Sequence, residues 1–328
     1  MKIAAGLVLL ILVASVGIVA MALVLGGPSR PAAMKDINAP FSTVDYRDLP
    51  ELSHYPARDG SQLAYRHYPP ASDAAQGSVV LLHGSAGNSR SLHPLAKAHA
   101  AAGFMVYSLD VRGHGASGTK GDIAYIGQLE NDLKDFLVTI APARPRTLVG
   151  FSSGGGFALR VAGSQRQRLF DHYLLLAPFI SQEAPTHRPD SGGWTSVGLP
   201  RYIALILLDR LGINAFHHLP VMRYAVDDDA APSLTTAYSF TLAQNYRPKP
   251  DYRATLKALD CPMQVLVGQD DQIFRAEQFD PVFQHAGRHV PIKHLPGIDH
   301  IGLILDPAAI DATVDATQTL NGQGNCQR

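Results

Sequence analysis

Arg146-Thr147-Leu148-Val149-Gly150-Phe151-Ser152-Ser153-Gly154-Gly155-Gly156-Phe157-Ala158-Leu159-Arg160 says most about the architecture of this 328-residue chain. Arg146–Phe151 is a short apolar run, of the kind that forms a strand covered on both faces. Residues 153–163 have the pattern of a helix that opens directly after it. At the junction, Gly150-Phe151-Ser152-Ser153-Gly154 sets two glycines around a serine. Glycines at those two places permit a sharp strand-to-helix turn and let the helix pack closely on the strand. Such a turn exposes the hydroxyl of Ser152 as a nucleophile. Ser153 offers a second hydroxyl, but the pattern centres on Ser152.

Similar runs flank this one. Gln62–Tyr68 alternates, after a turn at Arg58-Asp59-Gly60-Ser61, and predicts the second arm of an antiparallel hairpin. Ser78–Leu82, Met105–Leu109, His172–Leu176, 263–267 and 290–294 are further short apolar runs. Helical patterns fall between them at 92–102 and 128–140, the latter with Leu129, Leu133, Phe136, Leu137 and Ile140 on one side. Strand–helix alternation of this kind predicts a mostly parallel sheet with helices on both faces. The alternation lapses over 178–259, which is too long for a bare loop and reads as an inserted cap. That insertion holds a Pro/Gly/Ser-rich piece, an apolar helix at 203–208 and a helical pattern at 233–245.

A serine hydroxyl needs a base within hydrogen-bond reach and a carboxylate to orient that base. Gly268-Gln269-Asp270-Asp271-Gln272-Ile273 follows one strand, so Asp271 or Asp270 stands at its carboxyl end. Pro296-Gly297-Ile298-Asp299-His300 follows the last strand and puts His300 at the same edge. Asp299 is a poor orienter, because adjacent side chains diverge. Acyl transfer also needs donors for an oxyanion. Ser153 N–H is one, and Ser85 N–H, in the small-residue loop His83-Gly84-Ser85-Ala86-Gly87-Asn88-Ser89, is the other.

Asp110-Val111-Arg112-Gly113-His114-Gly115-Ala116-Ser117-Gly118 resembles the Asp-x-Arg-Gly-His-Gly-x-Ser segment of α/β-hydrolases related to monoacylglycerol lipases and lysophospholipases. His83-Gly84, 150–154, 268–271 and 296–300 follow in that family's order, and the likeness covers 52–177 and 260–318. The resemblance implies an α/β-hydrolase fold and a Ser152, Asp271, His300 triad. It selects Asp271 over Asp270 and makes the Arg-Gly-His-Gly segment scaffold. It also implies a carboxylic ester, lipid-like substrate and no cofactor. Ser153 is a departure, since lipases of this group often carry Met there. A peptidase, thioesterase or amide hydrolase of the same fold, or a membrane-tethered binding protein without turnover, are the alternatives.

Lys+Arg and Asp+Glu both number 28, which gives no basic excess for nucleic acid. Residues 3–25 form an uncharged apolar run, long enough to span a bilayer as a single-pass N-terminal anchor. The alternative is a signal segment cleaved near Ala20-Met21-Ala22, leaving a secreted or periplasmic protein. The division is then a membrane segment (1–25), a linker (26–45), a hydrolase core (46–177 and 260–320) and a cap (178–259). Cys261 and Cys326 fit neither a disulfide framework nor a metal pattern and read as free thiols.

Overall fold

The computed structural model describes every residue except Met1, 72–74, 325, 327 and 328. Eleven strands are present among the described residues: β1 (Leu52–Pro56), β2 (Gln62–Tyr68), β3 (Ser78–Leu82), β4 (Met105–Leu109), β5 (Arg146–Phe151), β6 (His172–Leu176), β7 (Thr195–Val197), β8 (Pro220–Tyr224), β9 (Ala237–Ser239), β10 (Met263–Gly268) and β11 (Ile292–Leu295). The α-helices are α1 (Lys2–Leu25), α2 (Lys35–Asn38), α3 (His93–Ala101), α4 (Gln128–Thr139), α5 (Ser153–Ala162), α6 (Leu199–Arg210), α7 (Phe240–Asn245), α8 (Tyr252–Lys257), α9 (Phe279–His285), α10 (Gly302–Leu305) and α11 (Pro307–Asn321).

Eight strands form the central sheet in the order β1-β2-β4-β3-β5-β6-β10-β11. The β1–β2 hairpin is antiparallel, and β2 meets β4 antiparallel. Every other pair in the sheet is parallel. Parallel strands need helical crossovers and covered faces. Accordingly β3 and β6 are buried at every position, Ser78 and His172 at their starts included. Helix α5 packs on β5 and β6 with α8 beside it, and α3 packs with α11 over β4, β6 and β10.

The sequence expectation differs from the structure at several places. Strand β11 starts at Ile292, not at 290, because Pro291 has no N–H to give the ladder; its carbonyl accepts from Val265 N–H instead. Residues 233–245 are not one helix. Strand β9 comes first, and the Ser239 side chain accepts from Leu242 N–H to start α7. Cys261 and Cys326 are not free thiols: they form a disulfide across a separation of 65 residues, with Cα atoms 4.5 Å apart. Helix α11 returns the chain to the start of β6, where Cys326 N–H donates to Asp171 O. That proximity belongs to the sheet, and no local spacing announces it.

The stretch between β6 and β10 carries β7, α6, β8, β9, α7 and α8, with β7-β8-β9 as a small antiparallel sheet. The residues expected as a plain linker hold α2 and a short 3-10 turn, Ala39–Thr43. Met34 N–H and Asn38 Nδ2 both donate to Ala225 O, and Ile37 is buried. Helix α1 is exposed along most of its length. Only its last turns, at Val19, Ala22 and Leu23, pack on the domain.

One buried histidine makes the packing of α3 on α11 sensitive to pH. His99 donates from Nδ1 to Leu95 O at 2.9 Å, and Nε2 lies 2.9 Å from Thr317 Oγ1. Burial pushes its pKa down to about 4. The unfolded chain then binds a proton that the folded chain refuses between about pH 6.5 and 4. The stability this neutral ring contributes, about 3 kcal/mol, is fully present above that window and is lost as pH falls through it. Denaturant unfolding measured across this range should therefore show a falling stability. His99→Gln, which keeps a donor and does not titrate, should make the slope shallower by about one proton. Equal slopes in the two proteins would show that His99 is not responsible.

Candidate active site

Ser152 sits at the turn between β5 and α5 with φ 55° and ψ −117°. A non-glycine residue held there stores strain, of order 1–3 kcal/mol. The neighbours fix it. Ser152 N–H donates to Leu176 O, while Ser152 O accepts from Gly156 N–H and Phe179 N–H. A Cβ on Gly150 would run into the backbone of residues 154 and 155, and one on Gly154 into the carbonyls of Leu82 and His83. The two glycines that flank the serine in sequence are thus the two points where backbones touch.

His300 lies beyond β11, in the chain that leads to α10. Its Nδ1 is 2.7 Å from Asp271 Oδ2, and both side chains are almost fully buried. Asp271 Oδ1 accepts from Ile273 N–H and Phe274 N–H, each at 2.7 Å. Three donors on one buried carboxylate fix its direction. Phe151 and Phe274 pack against the imidazole at centroid distances of 4.8 and 5.4 Å. The two rival acids are elsewhere. Asp270 is exposed. Asp299 Oδ1 accepts from Gly302 N–H at 2.6 Å at the start of α10.

Ser152 and His300 line one cavity of about 740 Å³. No direct hydrogen bond joins them among the described residues, so in this conformation they share a space rather than a bond. Such contacts commonly tighten only when substrate is bound. Ser85 also lines the cavity. Gly84 lets its loop come close to the serine, since a Cβ there would stand 3.3 Å from Ser152 Cβ. Among the described residues, neither Ser85 N–H nor Ser153 N–H meets an acceptor, whereas Ala86 N–H donates to Tyr238 Oη at 3.0 Å. Ser153 N–H is also at the first turn of α5, where the helix dipole favours negative charge.

The Asp110–Gly118 segment serves as scaffold. Asp110 accepts from Ser89 N–H and Ala116 N–H, which ties the β4 loop to the β3 loop. Arg112 makes a two-pronged pair with Asp132 at 2.7 and 2.8 Å. His83 and His114 are fully buried, and burial lowers both pKa values, so both rings are neutral at neutral pH.

Sequence reasoning missed the far wall of the cavity. Ile37 and Phe41 from the N-terminal segment, Trp194, and Asp227, Asp228 and Asp229 all line it. Met34, Ile37 and Phe41, apolar residues among small and polar ones, were the local signal.

The profile of the serine aminopeptidase, S33 family matches residues 73–307, more than half of the chain. A monoacylglycerol lipase of Mycolicibacterium smegmatis is 41% identical over 103 residues, which is 30% of this chain and 36% of that relative. A thermostable monoacylglycerol lipase of Bacillus sp. is 25% identical over 240 residues, 70% of this chain and 82% of that protein. A soluble variant of monoglyceride lipase from Saccharomyces cerevisiae has a similar fold, with a TM-score of 0.61 at 19% identity, covering 85% of this chain and 97% of that one.

The choice of acid is open to a direct comparison. Asp271→Asn should cut turnover of a short-chain chromogenic ester by a factor on the order of 10³–10⁴, because the histidine loses its orienting charge. Asp270→Asn, at an exposed position, should stay within about threefold of wild type. A larger loss for Asp270→Asn would move the acid to the neighbouring residue.

Proposed function

The chain belongs to the serine aminopeptidase, S33 family of α/β-hydrolases, and we propose that it is a serine ester hydrolase acting on lipid-like carboxylic esters through an acyl-enzyme. The observation that carries the reading is the buried Asp271–His300 pair opening on the cavity that Ser152 lines. In the reaction, His300 Nε2 takes the Ser152 hydroxyl proton as Oγ attacks the acyl carbon. Negative charge on the carbonyl oxygen falls between Ser85 N–H and Ser153 N–H. His300 gives its proton to the departing alcohol oxygen. A water, deprotonated by His300 in turn, then releases the acid and restores Ser152. The chain's own groups supply every proton transfer, and no cofactor enters.

The substrate class follows from the cavity and from the similar proteins together. Ile37, Phe41, Phe151, Trp194, Ile301 and Ile304 give the cavity an apolar lining suited to an acyl chain. Both curated relatives named above are monoacylglycerol lipases. Ser152→Ala should abolish hydrolysis of monoacylglycerol and of chromogenic esters, together with covalent labelling by a fluorophosphonate. The far-ultraviolet circular dichroism should be unchanged, since one hydroxyl adds little packing. Near wild-type turnover by Ser152→Ala would end the serine-hydrolase reading. Turnover confined to aminoacyl amides would favour the peptidase alternative.

Gly6–Leu25 of α1 is a 20-residue apolar stretch with mean hydropathy 3.1, which fits an anchor or an export signal by length and composition. We favour an uncleaved anchor with the domain outside the cytoplasm, on three supports. Arg201 of α6 donates to Leu23 O at 2.8 Å and Val24 O at 3.0 Å, satisfying the orphan carbonyls at the end of α1. Cleavage at Ala20-Met21-Ala22 would keep both carbonyls but remove the helix that presents them. Along α6, Leu199, Ile203 and Leu207 are exposed at helical spacing, an outer apolar stripe beside the anchor. The Cys261–Cys326 disulfide suits an oxidising compartment. Expressed with its N-terminus intact, the protein should resist carbonate extraction from membranes. Its two thiols should also be blocked to alkylation until reduced. A soluble mature chain beginning near Leu23, or thiols alkylated without reductant, would refute this topology.

A further inference from the structure

The loop that carries Ser85 does not hold itself. Ala86 has φ 63°, in the left-handed region that a residue with a Cβ occupies only when its surroundings insist. Three groups insist on it, and all come from the stretch between β6 and β10. Tyr238 Oη accepts from Ala86 N–H at 3.0 Å. Thr235 N–H donates to Ala86 O at 2.9 Å, so both sides of this residue are tied. Trp194 Nε1–H donates to Ser85 Oγ at 2.9 Å. Asn88 Nδ2 adds a bond to Ser233 O at 3.1 Å two residues further along.

Tyr238 is itself held. Its hydroxyl lies 2.5 Å from His114 Nε2, and His114 Nδ1 faces Val111 O at 3.2 Å. A neutral ring protonated on Nδ1 donates to the carbonyl and leaves Nε2 to accept from the tyrosine hydroxyl. Tyr238 thus donates to His114 and accepts from Ala86, which fixes its oxygen in place. With Ala86 N–H taken, Ser85 N–H is the donor of this loop left for an oxyanion.

We infer that Tyr238 and Trp194 are positioning residues for the oxyanion donor Ser85 N–H, so that the inserted segment between β6 and β10 completes the reaction centre as well as walling the cavity. The inference rests on the serine-hydrolase reading. Loss of the Tyr238 hydroxyl orphans the buried Ala86 N–H and frees the left-handed residue to relax, which swings the Ser85 peptide. The ground-state ester is bound mainly by the apolar wall, whereas the donor is used only as charge develops.

The test is steady-state kinetics on a chromogenic ester with wild type, Tyr238→Phe, Trp194→Phe, Ser85→Ala and the Trp194→Phe/Ser85→Ala pair. Tyr238→Phe should lower kcat by about 10- to 100-fold, less than removal of a donor outright, with KM within about threefold. Trp194→Phe and Ser85→Ala should each lower kcat, and the double variant should be no worse than the poorer single one, because both remove the same bond. Tyr173→Phe is the control for a lost buried hydroxyl, since Tyr173 Oη donates to Gln167 O away from this loop; it should keep wild-type kcat. Wild-type kcat in Tyr238→Phe, or a change carried by KM alone, overturns the inference, as do additive effects in the pair. If Tyr238→Phe does not fold, the Trp194–Ser85 cycle decides by itself. A wild-type protein that neither hydrolyses esters nor takes a fluorophosphonate on Ser152 would instead overturn the parent reading.

Discussion

The close approach of β5, α5 and the β3 loop around Ser152 is the constraint from which the rest of this structure follows. Glycines at 150 and 154 let three backbones meet at distances no Cβ would allow. The strain in the Ser152 backbone is held by three backbone hydrogen bonds, to residues 156, 176 and 179. The bonds to 176 and 179 exist because β6 runs parallel beside β5 in the buried middle of the sheet, and the bond to 156 opens α5. A buried pair of parallel strands is therefore what keeps a polar residue in an unfavourable conformation. The same turn leaves the first N–H groups of α5 without intrahelical partners and aims their partial charge at the cavity.

Around this point, buried polar groups are arranged in satisfied sets. Asp271 accepts three hydrogen bonds and His300 is clamped between two phenylalanine rings. Glu130 on α4 pairs with Arg160 on α5 at 2.6 Å and accepts from Asn245 at the end of α7 at 2.6 Å. That trio joins two core helices to the stretch between β6 and β10, and removing either charged member would leave the other charge uncompensated. His83, His99 and His114 are all held neutral by burial, so each bonds through one protonated and one bare nitrogen. The stretch between β6 and β10 is thus fastened to the rest by directional contacts as well as by apolar packing. A displacement of one relative to the other changes hydrogen bonds near Ser152.

The N-terminal segment takes part in the same assembly. Asn38 and Met34 reach Ala225, Ile37 and Phe41 line the cavity, and Arg201 closes the end of α1. If α1 crosses a bilayer, as proposed, the cavity wall and the anchor are parts of one short run of chain. The substrate site then has a fixed place relative to the membrane surface, with the apolar stripe of α6 next to it.

Periodicity and local chemistry made the central sheet legible in the sequence. Apolar runs at Ser78–Leu82, Met105–Leu109, Arg146–Phe151 and His172–Leu176 have the bounds of β3 to β6, because a strand covered on both faces is mostly apolar. The expected places of Ser152, Asp271 and His300 were legible for a similar reason: each follows the end of a strand, and all parallel strands end on one edge. Pairing across the fold was not legible. The Cys261–Cys326 bond, the wall built by Ile37 and Phe41, and the ties from Trp194 and Tyr238 to the Ser85 loop each join residues far apart in sequence. Nothing in the neighbourhood of either partner marks such a contact, since it depends on how helices and the inserted segment return the chain to the sheet. The sequence by itself determined which strands are buried and where a nucleophile can stand; only the tertiary structure decided what surrounds it, because hydrogen bonds and disulfides select partners by distance in space.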